Sequence, residues 1–100
     1  MTIEEKFGAV LKSVRNSKGL SQEELAFSAN LHRTYIGSVE RGERNISLKN
    51  ISLICKVLEI SLSDFFMEIE TIINWFKENS ELTKTEITQN LEKNYLLLVW

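Results

Sequence analysis

The sequence predicts an all-α domain of five helices, with a sixth helix at its C-terminal end. Three observations predict it. The 100 residues contain no proline and only four glycines, so helices run with few interruptions. Apolar residues recur at helical spacing from end to end, and no long segment alternates in the strand manner. Ser stands just before several of the periodic stretches, and Gly or Asn just after, as helix starts and stops require.

The first helix spans about Ile3 to Lys18. Phe7, Val10, Leu11 and Val14 form its apolar stripe, and Glu4 and Glu5 sit at the end where the helix dipole favours negative charge. Gly19 stops it. Ser21, with Glu24 three residues on, is a capping box for a short second helix, Gln22 to Ser28, whose Leu25 and Ala26 face inward. Asn30-Leu31-His32 breaks the chain, because Asn tolerates the left-handed conformation better than most residues with a side chain. A third helix covers about Arg33 to Arg41, burying Ile36 and Val39, and Gly42 ends it. After the polar stretch Glu43–Ile46, Ser47 caps a fourth helix to about Leu58, with Leu48, Ile51, Ile54, Cys55 and Leu58 as its stripe. Ser61 caps a fifth, which carries Leu62, Phe65, Phe66, Ile69, Ile72, Ile73 and Phe76. Lys77–Thr83 reads as a loop, and the sixth helix, about Lys84 to Leu98, sets Ile87, Leu91, Tyr95 and Leu98 on one side. The chain divides into a domain over residues 1–76 and an extension over 77–100.

Composition excludes several function classes. No apolar run is long enough to span a bilayer, and the opening MTIEEKFGAV has acid where a secretory signal carries positive charge. Cys55 is the single cysteine, which rules out an intrachain disulfide and fits the reducing cytoplasm. It reads as a core residue and not as a redox sensor. His32 is the single histidine and reads as a helix-start residue and not as a metal ligand. There is no phosphate loop, metal cluster, or nucleophile with a supporting base, so neither enzyme activity, cofactor, metal nor small-molecule ligand is expected. The net charge of -2 hides an asymmetry: residues 1–50 carry eight Lys/Arg against six Asp/Glu, residues 51–100 four against eight. Nucleic-acid binding depends on local potential, and this distribution permits a basic face in the first half.

Two short helices joined by a three-residue turn, inside an all-helical domain, have the geometry of a helix-turn-helix. Ala26 supplies the small residue where the two helices approach, Asn30 the turn, and Leu31, Ile36 and Val39 the anchors of the second helix. The segment LSQEELAFSANLHRTYIGSVERGERNISLKNISLICKVLEISLSDFF resembles the Xre/Cro-type, lambda-repressor-like helix-turn-helix domain over nearly all of residues 5–66, most closely in SQEELA, VERG and LEISLSDFF. Within that family, HRTYIGSVERGERNIS is most similar to controller proteins of restriction–modification systems, small dimeric regulators that bind paired operator sites and time endonuclease expression. The chain departs from a minimal controller by continuing through EITQNLEKNYLLLVW.

The second helix of such a motif enters the major groove and presents its N-terminal residues to base edges. Here Arg33, Thr34, Gly37 and Ser38 are the candidate base-reading positions. Arg33 leads, since a guanidinium pairs bidentately with guanine O6 and N7. Gly37 would let the helix backbone come close to the duplex. Gln22, Tyr35, Arg41, Arg44, Asn45, Ser47 and Lys49 are the candidate phosphate clamp, although Tyr35 can equally be a packing residue. The resemblance implies a salt bridge between Arg15 and Glu40. One unit reads few base pairs, so a homodimer on double-stranded operator DNA is expected, with Leu62, Phe65, Phe66, Ile69, Ile72 and Ile73 at its interface and Trp75, Tyr95 and Trp100 able to widen it. The competing reading makes those apolar residues core beneath the sixth helix. LLLVW is either a buried helix end or an exposed partner-binding tail. Other readings of the whole are a phage-type repressor, an antitoxin-like regulator, or a protein-interaction module that kept the fold without DNA binding.

Overall fold

The structure, a computed structural model, describes residues 1–78. It contains five helices in the expected order, and no strand among the described residues: α1 (Ile3–Ser17), α2 (Gln22–Ala29), α3 (Arg33–Glu40), α4 (Leu48–Val57) and α5 (Leu62–Glu78). The sixth helix, with Ile87, Leu91, Tyr95, Leu98 and Trp100, lies outside the described residues, as do the side chains of Ile73, Trp75 and Phe76. Helix α5 continues through Lys77 and Glu78, which the polar character of Lys77–Thr83 had placed in a loop. Polarity alone is a weak helix breaker: neither residue is Gly or Pro, so the helix runs on.

Local sequence explains each boundary. Thr2 and Glu5 form a reciprocal capping box on α1, Ser21 and Glu24 another on α2, and Ser47 caps α4 through the Asn50 amide. The Ser21 bonds hold the Glu24 carboxyl below its usual range. Four helices end in the same six-residue turn, its fifth residue left-handed: Gly19 at φ 73°, Asn30 at 58°, Gly42 at 75° and Glu59 at 55°. The long bonds of these turns run from Leu20 to Arg15, Leu31 to Ala26, Glu43 to Ser38 and Ile60 to Cys55, amide to carbonyl. Glu59 carries no sequence signal for such a position.

The core is one cluster. Val10, Leu11 and Val14 of α1, Leu25 of α2, Ile36 and Val39 of α3, Ile54 of α4 with Leu58 at its C-cap, and Phe65 of α5 all exclude solvent. Phe7 and Phe65 meet with ring centroids 5.1 Å apart. Cys55 is buried among them, and desolvation pushes its thiol up to about 11, which keeps it an inert packing group. The apolar stripe of α4 is thus core except for Leu48, which is exposed.

Gly8 sits in the interior of α1, where glycine ordinarily weakens a helix by roughly 1 kcal/mol relative to alanine. Here it is what lets α1 reach α3. A Cβ at this position would meet the carbonyl oxygens of Val39, at 2.5 Å, and Glu40. The expected outcome for Gly8→Ala is therefore a loss of about 1–3 kcal/mol, opposite in sign to its helix propensity, read as a lowered midpoint in thermal or urea denaturation.

Candidate nucleic-acid interface

Helix α3 is held from within by a buried ionic network. Arg15 of α1 donates from Nε to Glu40 Oε2 at 2.6 Å and from Nη2 to Glu40 Oε1 at 3.0 Å. Its remaining Nη1 donates to the Leu20 carbonyl at 2.7 Å, and Gln22 of α2 donates from Nε2 to Glu40 Oε1 at 3.0 Å. The two charged side chains are 9% and 3% exposed. One guanidinium–carboxylate pair thus ties α1, the α1–α2 turn, α2 and α3 together, in the bidentate geometry that makes such pairs strong.

Against that inner face, α3 turns other residues outward. Arg33 and Thr34 at its first turn are exposed, as are His32 before it and Arg41, Arg44, Asn45, Ser47 and Lys49 after it. Arg33, Gly37 and Arg41 succeed one another at four-residue intervals, along one side of the helix. Tyr35 is half-buried: its hydroxyl accepts from Asn50 Nδ2 of α4 at 3.0 Å, and the Arg44 guanidinium lies 5.7 Å from its ring centroid. Tyr35 therefore both packs and presents a polar group. Asn50 is a member of the site that the sequence reading missed; its position three residues after the Ser47 cap carries no signal of it. Arg41 is paired through Nε with Glu43, which holds the guanidinium above its usual basicity.

Three expectations are corrected. Ser38 is only 6% exposed, and its hydroxyl turns back along the helix to donate to the Tyr35 carbonyl at 2.8 Å, so its proton is spent within the helix and its side chain is not on the exposed side with Arg33 and Thr34. Gly37 is buried by its neighbours: a Cβ there would stand 3.2 Å from Arg41 Nη1, so its missing side chain leaves room for that tip. The stripe on α5 splits. Phe65, Ile69 and Ile72 are buried in the chain's own core and cannot face a partner, because α5 spends that side on α1 and α4. Leu62 and Phe66, each 41% exposed, and Met67, 64% exposed, are what remain outside. Glu68 is buried on α5, and desolvation together with the Asp64 charge pushes its carboxyl up.

Among the described residues no helix is long and apolar enough to cross a membrane, and no group of His, Cys, Asp or Glu is placed to hold a metal ion.

Breaking the buried pair leaves a charge without its counterion. Glu40→Ala is expected to cost about 3–5 kcal/mol, measured by urea denaturation. A loss below about 1 kcal/mol would mean that Arg15 reaches solvent when its partner is removed.

Comparison with known proteins agrees with this geometry. Residues 11–65 match the family described as HTH_3, Helix-turn-helix. The chain is 48% identical over 69 residues to control protein C.BamHI of Bacillus amyloliquefaciens, covering 68% of this chain and 84% of that protein. It is 34% identical over 95 residues to the immunity repressor protein of Bacillus phage phi105, covering 87% of this chain and 65% of that protein. Among solved structures it is similar to the controller C.Esp1396I bound to a 25 base pair operator site, with a TM-score of 0.66 at 41% identity over 71% of this chain and 93% of that one. A helix-turn-helix whose recognition helix is braced by a buried Arg–Glu pair, matched over more than half its length by the family, makes this chain a member of the Xre/Cro-type helix-turn-helix regulators, similar to restriction–modification control proteins.

Proposed function

We propose that this protein is a cytoplasmic, sequence-specific DNA-binding transcription regulator, acting as a homodimer on operator DNA as the controller of a restriction–modification system. The observation that carries the reading is the outward side of α3: Arg33 and Thr34 exposed at its start, with Arg41 and Arg44 just beyond its end, on a helix fixed from behind by Glu40. Arg33 reads guanine O6 and N7, and Thr34 offers a hydroxyl and a methyl to a neighbouring base. Arg41, Arg44, Asn45, Ser47 and Lys49 surround them as phosphate contacts. Tyr35 joins them, because a hydroxyl that accepts from Asn50 keeps its own proton for an acceptor such as a phosphate oxygen. Gln22, with its amide nitrogen engaged by Glu40, presents its backbone amide at the α2 N-terminus.

The dimer is built on what α5 leaves outside, Leu62, Phe66 and Met67. These bring the second reading head onto the same duplex, as operator binding by one short helix requires. The operator-bound controller at 41% identity supports this reading. A phage-type repressor is the second reading, favoured by the match to the phi105 immunity repressor over 87% of the chain. The DNA bound decides between them: a controller site lies before an endonuclease gene.

Mobility shift on the DNA upstream of the gene, run across a salt series, tests the proposal. Arg33→Ala is expected to lose about 1–3 kcal/mol of preference for that DNA over unrelated duplex while retaining salt-dependent binding. Failure of the wild-type protein to bind any duplex at low salt would remove the proposal. Phe66→Glu is expected to shift the protein toward monomer in sedimentation equilibrium at micromolar concentration, and to weaken operator binding in parallel. An unchanged dimer places the interface elsewhere.

A further inference from the structure

We infer that Glu43 is a built-in counterion for Arg41, which competes with DNA phosphate and so sets the strength and salt dependence of binding. The inference rests on the DNA-binding reading above and names a regulating residue within that same face.

Arg41 closes α3 on the side that carries Arg33 and Gly37, and its Nη1 lies over Gly37, 3.2 Å from where a Cβ there would stand. The guanidinium is thus laid over α3, among the proposed phosphate contacts. Its Nε is engaged by the Glu43 carboxylate, and both side chains are more than half exposed.

Glu43 is held there by backbone geometry. Gly42, left-handed at φ 75°, donates to the Val39 carbonyl at 3.0 Å, and the Glu43 amide donates to the Ser38 carbonyl at 3.0 Å, the two bonds of a closed helix end. Gly42 is also packed on α1: a Cβ there would come within 2.7 Å of Glu5 Cα. The chain cannot shift at this point without moving α1, so the backbone that carries the carboxylate is anchored beside the proposed DNA face.

An exposed pair of this kind adds little to the fold. Its effect falls on binding. A phosphate approaching Arg41 must displace the carboxylate, and the site then holds an extra negative charge beside the DNA backbone. Arg41 neutralises a phosphate only to the extent that Glu43 gives it up, so the protein releases about one counterion fewer than its exposed cations imply.

The test is a mutant cycle of wild type, Glu43→Gln, Arg41→Ala and Arg41→Ala/Glu43→Gln. Each is titrated on the DNA upstream of the gene and on an unrelated duplex, at several salt concentrations. Glu43→Gln is expected to bind both duplexes about fivefold tighter. Its plot of log affinity against log salt should steepen by about one unit, with the preference between duplexes unchanged. In the Arg41→Ala background most of that gain should vanish. An unchanged affinity and slope for Glu43→Gln overturns the inference, while wild-type binding leaves the DNA-binding reading standing. A gain that persists in full without Arg41 also overturns it, since Glu43 would then act on phosphate by direct repulsion. Absence of wild-type binding to either duplex at low salt overturns both readings together.

Discussion

The buried bond between Arg15 and Glu40 is the constraint on which the rest of this molecule depends. Two short helices of eight residues each cannot hold themselves in place, since helices of that length are marginal in water. Their apolar sides supply most of the attraction, through Leu25, Ile36 and Val39, but apolar packing is tolerant of small rotations and slides. A bidentate carboxylate–guanidinium contact is not. By joining Arg15 of α1 and Gln22 of α2 to the carboxylate of α3, with the same guanidinium also held by the Leu20 carbonyl, it fixes the azimuth of α3 and hence which residues point outward. The desolvation of two charges makes such a pair a poor source of net stability, so its value here lies in specifying geometry.

The second constraint is steric and lies beside the first. Gly8 lets α1 approach the carbonyl end of α3, and Gly42 turns the chain immediately afterwards against Glu5. The C-terminal turn of α3 is therefore clamped to α1 through side-chain charge and through backbone contact. This is why exposed residues just beyond the helix, Arg41 and Glu43, occupy defined positions although they contribute little to packing. The face proposed for DNA is a mixture of that kind: a rigid scaffold of buried groups carrying exposed cations, one of which is already engaged by an acid.

Helix α5 shows how one apolar stripe serves two purposes. Phe65, Ile69 and Ile72 complete the core over Phe7, whereas Leu62, Phe66 and Met67 stay exposed. Successive residues on a helix differ by roughly 100° in direction, so a stripe as wide as this one exceeds what α1 and α4 can cover. The surplus is the basis for the proposed dimer.

Much of the molecule was legible in the sequence because the relevant physics is local. Capping residues, left-handed Gly and Asn positions and the 3.6-residue period placed every described helix within a residue or two, and the joint spacing of Ala26, Asn30, Leu31, Ile36 and Val39 identified the motif. The exposed Arg33 and Thr34 followed from their register on that motif. What the sequence left open depended on neighbours distant along the chain. Ser38 looked like a base contact until its hydroxyl was seen turned onto the Tyr35 carbonyl, and Asn50 had no role until the fold carried it to Tyr35. The need for glycine at position 8 follows from α3, some thirty residues away. Periodicity can rank the faces of a helix, but only the tertiary arrangement decides which part of each face another element covers, and therefore which groups remain for DNA or for a second subunit.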